Sequence, residues 1–340
     1  MTPALTSLEF RLLNDWQRDF PLMPRPYAAM ADRLGCDEDT VLERLAGLKA
    51  QGHISRVGAV FRPHVLGWST LAAVACPPER LEEVARIIDA FPEVNHNYER
   101  EHAFNLWFVV ASADGERVAQ VLAEIQRATG LKPLDLPMLA DYHIDLGFRL
   151  GGQLVHSHLD AASKSVDTAQ LRGQLEPRDY AVAAVLEEGL EFSAHPYANL
   201  AKRCGMSETD FIARLQRLLQ LSVIRRFGVV VRHRELGYTA NAMVVWDIPE
   251  GRAEEAGQLL AAQPAVTLCY QRPRRPPDWP YNLFSMVHGQ AREAVLTQIE
   301  HLHADLSRQL GVDRLCHAPL FSHRRFKQCG ARYASLSKAA

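Results

Sequence analysis

Groups that can move or hold protons crowd one short stretch of this 340-residue chain. Residues Asn95–Val110 read NHNYEREHAFNLWFVV, with His96, Tyr98 and His102 among charges. An imidazole exchanges protons near neutral pH, and a guanidinium such as Arg100 grips a carboxylate through paired hydrogen bonds. The run from Asn105 through Trp107 to Val110 is apolar, aromatic and β-branched, so it reads as a strand. A distorted twin lies at residues 266–287, VTLCYQRPRRPPDWPYNLFSMV. Tyr98, Arg100, Asn105 and Leu106 match Tyr270, Arg272, Asn282 and Leu283, and the twin carries RRPPDWP where the first copy has EHAF.

Positive and aromatic groups gather elsewhere too. Arg56, Arg62 and His64 stand in one region, and Arg225, Arg226, Arg232, His233 and Arg234 in its counterpart. Arg272, Arg274 and Arg275 precede Trp279 and Tyr281, and His317, His323, Arg324, Arg325 and Lys327 crowd the C-terminal end. Brought together, they suit a planar, apolar ligand with several carboxylates, because arginine matches carboxylates and Trp or Tyr offers a flat surface. Each also has a plainer reading: arginines as solvated strand edges, Trp107 as core, His96 and His317 as core or loop hydrogen-bonding residues. HSH at 156–158 and HLH at 301–303 lack the flanking pattern of a metal site, and six cysteines occur without CxxC spacing. GxGxxG, P-loop and GxSxG motifs are missing, which removes the main sequence support for nicotinamide, nucleotide and hydrolase chemistry.

The elements that must position these groups repeat. Pro26-Tyr27 returns as Pro196-Tyr197, Arg56-Val57-Gly58 as Arg226-Phe227-Gly228, Arg62 as Arg232, and Leu66-Gly67 as Leu236-Gly237. The chain is therefore two divergent copies, residues 5–148 and 176–333, around a polar stretch that reads as a flexible linker. Each copy starts with three short amphipathic helices; in the first, Asp37 is placed to cap the third. That is a helix-turn-helix pattern, followed by HISRVGAVF as a strand or wing. Strands and helices then alternate as β-α-β-β-α-β, a ferredoxin-like sandwich whose open face the other copy's sheet can cover. The expected fold is α+β, with helix-turn-helix units at 1–62 and 176–232, ferredoxin-like units at 63–150 and 233–335, and a linker at 151–175.

Charge argues against nucleic acid. The formal net charge is -2, and the second helix of each helix-turn-helix opens on Asp37-Glu38-Asp39 or Ser207-Glu208, which would aim carboxylates at phosphate. The N-terminus lacks a basic, then apolar, leader, and no apolar run reaches the length of a membrane span. A soluble cytoplasmic protein is the expectation.

The ordered motifs carry a family resemblance. Each copy resembles an Lrp/AsnC-type module, and both are similar to siroheme decarboxylase subunits. FPLMPRPYAAMADRLG, ISRVGAVFRP and NHNYEREHAFNLWFVV resemble the D-type subunit. HPYANLAKRCG, VIRRFGVVVRHRELGY, WPYNLFSMVHG and PLFSHRRFKQCG resemble the L-type. The resemblance implies a natural D–L fusion that decarboxylates two acetate side chains of siroheme, giving 12,18-didecarboxysiroheme, with no added organic cofactor and with iron supplied by the substrate. On that basis His96, His317 and Tyr98 are expected to handle protons. Arg56, Arg100, Arg226, Arg232 and Arg272 are expected to clamp carboxylates, and Asn105, Trp107, Tyr281 and Asn282 to orient or cover the macrocycle. No metal site on the protein, no DNA and no membrane partner are expected; monomer and homodimer stay open. The competing reading is a tetrapyrrole-responsive transcriptional regulator on the same modules.

Overall fold

The computed structural model describes residues 5–144, 168–331 and 333, without the side chains of His233 and Arg234. The first copy opens on α1 (Ser7–Asn14), α2 (Pro26–Leu34) and α3 (Glu38–Ala50). Local chemistry sets their ends. Thr6 and Glu9 form a capping box: the Glu9 N–H donates to Thr6 Oγ1 at 3.2 Å and the Thr6 N–H to the Glu9 carboxylate at 2.9 Å. Pro26 starts α2, where a missing N–H is harmless, and Gly35 ends it in the left-handed region at φ 74°. Asp37 caps α3 by accepting from the Thr40 N–H at 2.7 Å. After these come β1 (Ile54–Phe61), β2 (Trp68–Val74), α4 (Leu81–Asp89), β3 (Val94–Arg100), β4 (Leu106–Ser112), α5 (Gly115–Thr129), β5 (Leu134–Pro137) and β6 (Ala140–Ile144). The end of the first copy, read to residue 148, passes outside the described residues after Ile144.

The stretch read as linker is described only from residue 168, and there it is helical: α6 (Thr168–Gly173) buries Leu171 in the core of the helix-turn-helix units. The second copy follows as α7 (Pro177–Leu186), α8 (Pro196–Arg203), α9 (Glu208–Gln220), β7 (Ile224–Val231), β8 (Ala240–Asp247), α10 (Ala253–Ala261), β9 (Val266–Gln271), β10 (Leu283–Gly289), α11 (Arg292–Leu310) and β11 (Cys316–Gln328). The duplication reaches the backbone: left-handed residues recur at twin positions, Asp19 with Gly189, Gly35 with Gly205 and Gly52 with Ser222.

Of the two readings of HISRVGAVF, strand or wing, the strand is the one found. β1 pairs antiparallel with β7, Gly58 opposite its twin Gly228, so the two helix trios are joined by a shared ribbon on a pseudo-two-fold axis. Reciprocal hydrogen bonds repeat that symmetry: Tyr27 Oη donates to the Glu191 carbonyl at 3.1 Å, and its twin Tyr197 Oη to the Pro21 carbonyl at 2.8 Å. One apolar core, containing Trp16, Phe20, Tyr27, Tyr197, Phe211 and Phe227, serves both trios.

The remaining strands form a sheet in the order β5-β2-β4-β3-β11-β8-β10-β9-β6. Two strands cross between the copies. The first half of β11 pairs with β8 and its second half with β3, while consecutive β5 and β6 pair with β2 and β9 respectively. Alternation then separates two faces. Ala72, Val74 and Phe108 pack under α4 and α5, and Val244 and Trp246 under α10 and α11. Leu71, Trp107 and Leu136 of one half-sheet instead meet Met243, Tyr270, Phe284 and Leu320 of the other. The open face of each sandwich is thus covered by the other copy, as the β-α-β-β-α-β pattern requires.

Candidate active site

β3 carries the densest proton-handling groups into the space between the two half-sheets. Asn97 faces α4, its amide donating to Asp89 Oδ1 at 2.8 Å, so the neighbouring His96, Tyr98 and Arg100 turn the other way. Tyr98 lies directly across from Trp107 on β4, and Trp107 belongs to the inter-sheet core. The His96 and Tyr98 rings stack with centroids 6.1 Å apart. The Arg100 guanidinium sits 5.7 Å from the Tyr98 ring and donates to the Leu320 carbonyl at 3.1 Å, while its Nε is buried without a partner. An orphaned guanidinium N–H in an aromatic interior is a donor suited to an incoming carboxylate.

Electrostatics sharpen the His96 environment. Burial, then the nearby Arg56 guanidinium, pushes its pKa down to about 4. The imidazole is therefore neutral at pH 7 in the free protein. A folded value below the ordinary 6.5 means the unfolded chain takes up the proton first. The stability that goes with neutral His96 is full above pH 6.5 and is lost as pH falls toward 4. Urea denaturation across that window should show the wild type losing about 3 kcal/mol more than His96→Gln. Equal acid sensitivity of the two proteins would contradict the buried, neutral state.

Around this centre the strand and loop positions sort the expected residues into those that meet and those that do not. Arg56, on the β1/β7 ribbon, donates to the Ala59 carbonyl at 2.9 Å, and burial lowers its pKa. Arg272 repeats Arg100 in the second copy: it bonds the Leu136 carbonyl, lies 4.6 Å from the Tyr270 ring, and keeps a buried Nε without a partner. Tyr270 is close enough to act electrostatically on both Arg100 and Arg272, so the two arginines share one interior. Trp279, from the insertion of the twin, is fully buried and closes that interior against Trp107 at 5.2 Å, Tyr281 at 4.9 Å and His102 at 5.3 Å.

Four expectations change. His317 lies on the helix-covered face of β11, stacked on His303 at 4.5 Å and Trp246 at 5.1 Å, because strand alternation gives the inner face to Leu320 and not to His317. It does not meet His96. Asn105 and Asn282 are twin clamps on the backbone. Asn105 Oδ1 accepts from the Cys76 N–H at 2.9 Å while its amide donates to the Cys76 carbonyl at 2.9 Å. Asn282 does the same to Ile248 at 2.9 and 3.1 Å. Arg226 is buried at the helix-turn-helix junction, bonded to the carbonyls of Gln17 and Val229. Arg232 stands just past the end of β7: its backbone N–H donates to the His53 carbonyl at 2.8 Å and its side-chain Nε is buried without a partner.

Two neighbours, Asn95 and Gln328, were not singled out from sequence, and a third, Arg325, entered only as one of the C-terminal charges. Asn95 adjoins His96. Arg325 sits opposite Tyr98 on β11 and bonds Glu235 at 3.0 Å, and Gln328 sits opposite His96. Their common signal is the β3/β11 pairing, which no local pattern announces. The second copy lacks the imidazole: counting from Tyr98 and Tyr270, the twin of His96 is Leu268. There, an Arg225–Asp141 ion pair stands where the first copy has Arg325. Among the described residues no group of His, Cys, Asp or Glu is placed to hold a metal ion. In the same residues no helix is long and apolar enough to cross a membrane.

Known proteins place this architecture. The family model for the AsnC-like ligand binding domain matches residues 65–143 and 235–327. That for the siroheme decarboxylase NirDL-like HTH domain matches 9–54 and 179–225. The siroheme decarboxylase NirDL subunit of Paracoccus denitrificans is 42% identical over 334 residues, covering 98% of this chain and 99% of its own. The siroheme decarboxylase of Hydrogenobacter thermophilus is 33% identical over 331 residues, covering 96% and 94%. A crystal structure of siroheme decarboxylase NirDL with an iron-uroporphyrin III analogue matches with a TM-score of 0.64 at 27% identity, over 98% of this chain and 96% of that one. The chain belongs to the siroheme decarboxylase NirDL family, with a D-like and an L-like module fused in one polypeptide.

Proposed function

We propose that this chain is a carboxy-lyase that converts siroheme to 12,18-didecarboxysiroheme, a step toward haem d1 or a related haem. The observation that carries the reading is the convergence of His96, Tyr98 and Arg100 on one inner face, with Arg56 beside His96. Arg56, Arg100 and Arg272 hold the substrate's carboxylates, and Trp107, Tyr281 and Tyr98 supply flat surface against the macrocycle. Arg232 adds charge at the ribbon end. Asn105, Asn282 and Arg226 hold the scaffold. The iron enters with the substrate, and no organic cofactor is needed.

An acetate on a pyrrole loses CO2 only if the bond's electron pair has a destination. Protonation of the conjugated ring provides it. The C–C bond then breaks, its electrons enter the ring, and an exocyclic methylene remains. A proton delivered to that methylene makes the methyl group, and the ring proton leaves. The net change is one proton in and one CO2 out per acetate. His96 supplies the proton, with Tyr98 alongside. Its free-state neutrality fits this role only with the substrate bound: a polycarboxylate beside Arg56 offsets that positive charge and favours the imidazolium. Binding siroheme should therefore take up protons.

Incubating the purified protein with siroheme without oxygen, followed by mass measurement, tests the reading. Loss of two CO2 per macrocycle is expected. Unaltered siroheme held tightly would favour the regulator instead. Against the regulator, α3 begins with Glu38 and Asp39 and α9 carries Glu208 and Asp210 in its first turn. A cytoplasmic setting suits the six free cysteines, Cys36, Cys76, Cys204, Cys269, Cys316 and Cys329.

A further inference from the structure

Adjacent residues of a regular strand point to opposite faces, so Asn95 and His96 should not touch. They do: Asn95 Oδ1 lies 2.7 Å from His96 Nδ1. The cause is a break in the register of β3 against β4 between Val94 and His96, a bulge that swings the two side chains to one side. The bulge is held from the neighbouring strand. The Asn95 carbonyl accepts the Cys329 N–H at 2.8 Å, just past the end of β11. Asn95 is 4% exposed, so its amide is not exchanging partners with bulk water.

We propose that Asn95 is a positioning residue that fixes the tautomer of His96, keeping the proton on Nδ1 and leaving Nε2 as the nitrogen that meets the substrate. The inference rests on the reading of His96 as proton donor. An amide oxygen accepts and cannot donate, so the ring nitrogen facing it carries the hydrogen. The other ring nitrogen then holds a lone pair in the free protein and receives the catalytic proton when substrate binds. The groups facing this imidazole are few. Arg56 approaches from β1, Tyr98 stacks from β3, and Gln328 and Cys329 lie across on and after β11, with Cys329 also near Arg56. Among the described residues no carboxylate is one of them, so the neutral amide is the orienting partner. The twin strand has Thr267 and Leu268 at the matching positions and cannot build the pair. The device therefore belongs to the D-like half alone.

The full-length protein, labelled with ¹⁵N-histidine, tests this directly. Assigned by loss of its signals in His96→Gln, the His96 ring should show Nδ1 protonated and Nε2 unprotonated at pH 7. The reverse tautomer would overturn the proposal whatever the activity. In turnover assays Asn95→Leu should lower kcat about tenfold or more with KM changed less than about threefold. Asn95→Asp should rescue much of that loss and move the alkaline limb of the pH profile up by about one unit, since a carboxylate favours the imidazolium. A wild-type kcat in Asn95→Leu and an unmoved profile in Asn95→Asp, with His96→Gln inactive, would reject the positioning role and leave the site intact. An active His96→Gln would instead remove the site reading, while the tautomer measurement would still stand or fall alone.

Discussion

His96→Gln should lower siroheme turnover by about 10²–10⁴-fold, the range for losing a placed general acid or base, and leave siroheme affinity within a few-fold. Glutamine keeps hydrogen-bonding capacity and similar bulk but cannot deliver a proton. The carboxylate grip proposed for Arg56, Arg100 and Arg272 involves no bond to His96, so binding should survive. The contrast with His317 makes the prediction specific. His317 is packed against His303 and Trp246 beneath α11, away from Arg100 and Tyr98. His317→Gln should keep turnover within about threefold, any loss following a small change in packing. Single-turnover decarboxylation with siroheme in excess of Kd, beside a spectral titration of each variant, separates chemistry from binding. If His317→Gln were the dead enzyme and His96→Gln the active one, the inner face of β3 would not be the site.

Much of the scaffold was legible because it is governed locally. Caps, proline and glycine signals fix helix ends through groups a few residues apart, as at Asp37 and Thr40. The duplication was legible because paired residues such as Tyr27 and Tyr197 keep the same task in both copies. What was hidden depends on partners distant in sequence. HISRVGAVF has the composition of a strand, but nothing in it says that its partner is its own twin. Asn105 and Asn282 looked like ligand residues since they stand beside aromatic strands. Their amides instead tie the exit of β2 to the start of β4 and the exit of β8 to the start of β10, a need that exists only once each of those pairs is adjacent. His317 shared a charged neighbourhood with the site in sequence, and strand parity then put it on the other face. Asn95 was overlooked because its contact with His96 requires a bulge, and a bulge is set by tertiary pairing rather than by residue type.

The ribbon that carries Arg56 predicts the second large effect, and the repeat supplies its control. Gly228 faces Gly58 across β1 and β7, yet their surroundings differ. A methyl group on Gly228 would run into the carbonyl oxygens of Trp16 and Gln17, both main-chain atoms that cannot swing aside. The Trp16 carbonyl also accepts the Val229 N–H at 2.8 Å, so relieving the clash breaks the bond that docks α1 on the ribbon. The same methyl on Gly58 would sit 3.1 Å from the Gly189 Cα, a contact relieved by a few tenths of an ångström. Gly228→Ala should therefore cost about 2–4 kcal/mol, and Gly58→Ala about 1. Gly47→Ala, inside α3 with open space around it, should stabilise by up to about 1 kcal/mol through helix propensity. Shifts of the urea midpoint at pH 7 rank the three. The functional consequence follows from position. Arg56 pairs with Val230, two residues from Gly228, so the shift that admits a methyl group also moves a guanidinium beside His96. Folded Gly228→Ala at low temperature should show weaker siroheme binding, and Gly47→Ala none. Equal midpoints for Gly228→Ala and Gly58→Ala would mean the ribbon yields freely, and a ribbon that yields cannot hold Arg56 against the substrate.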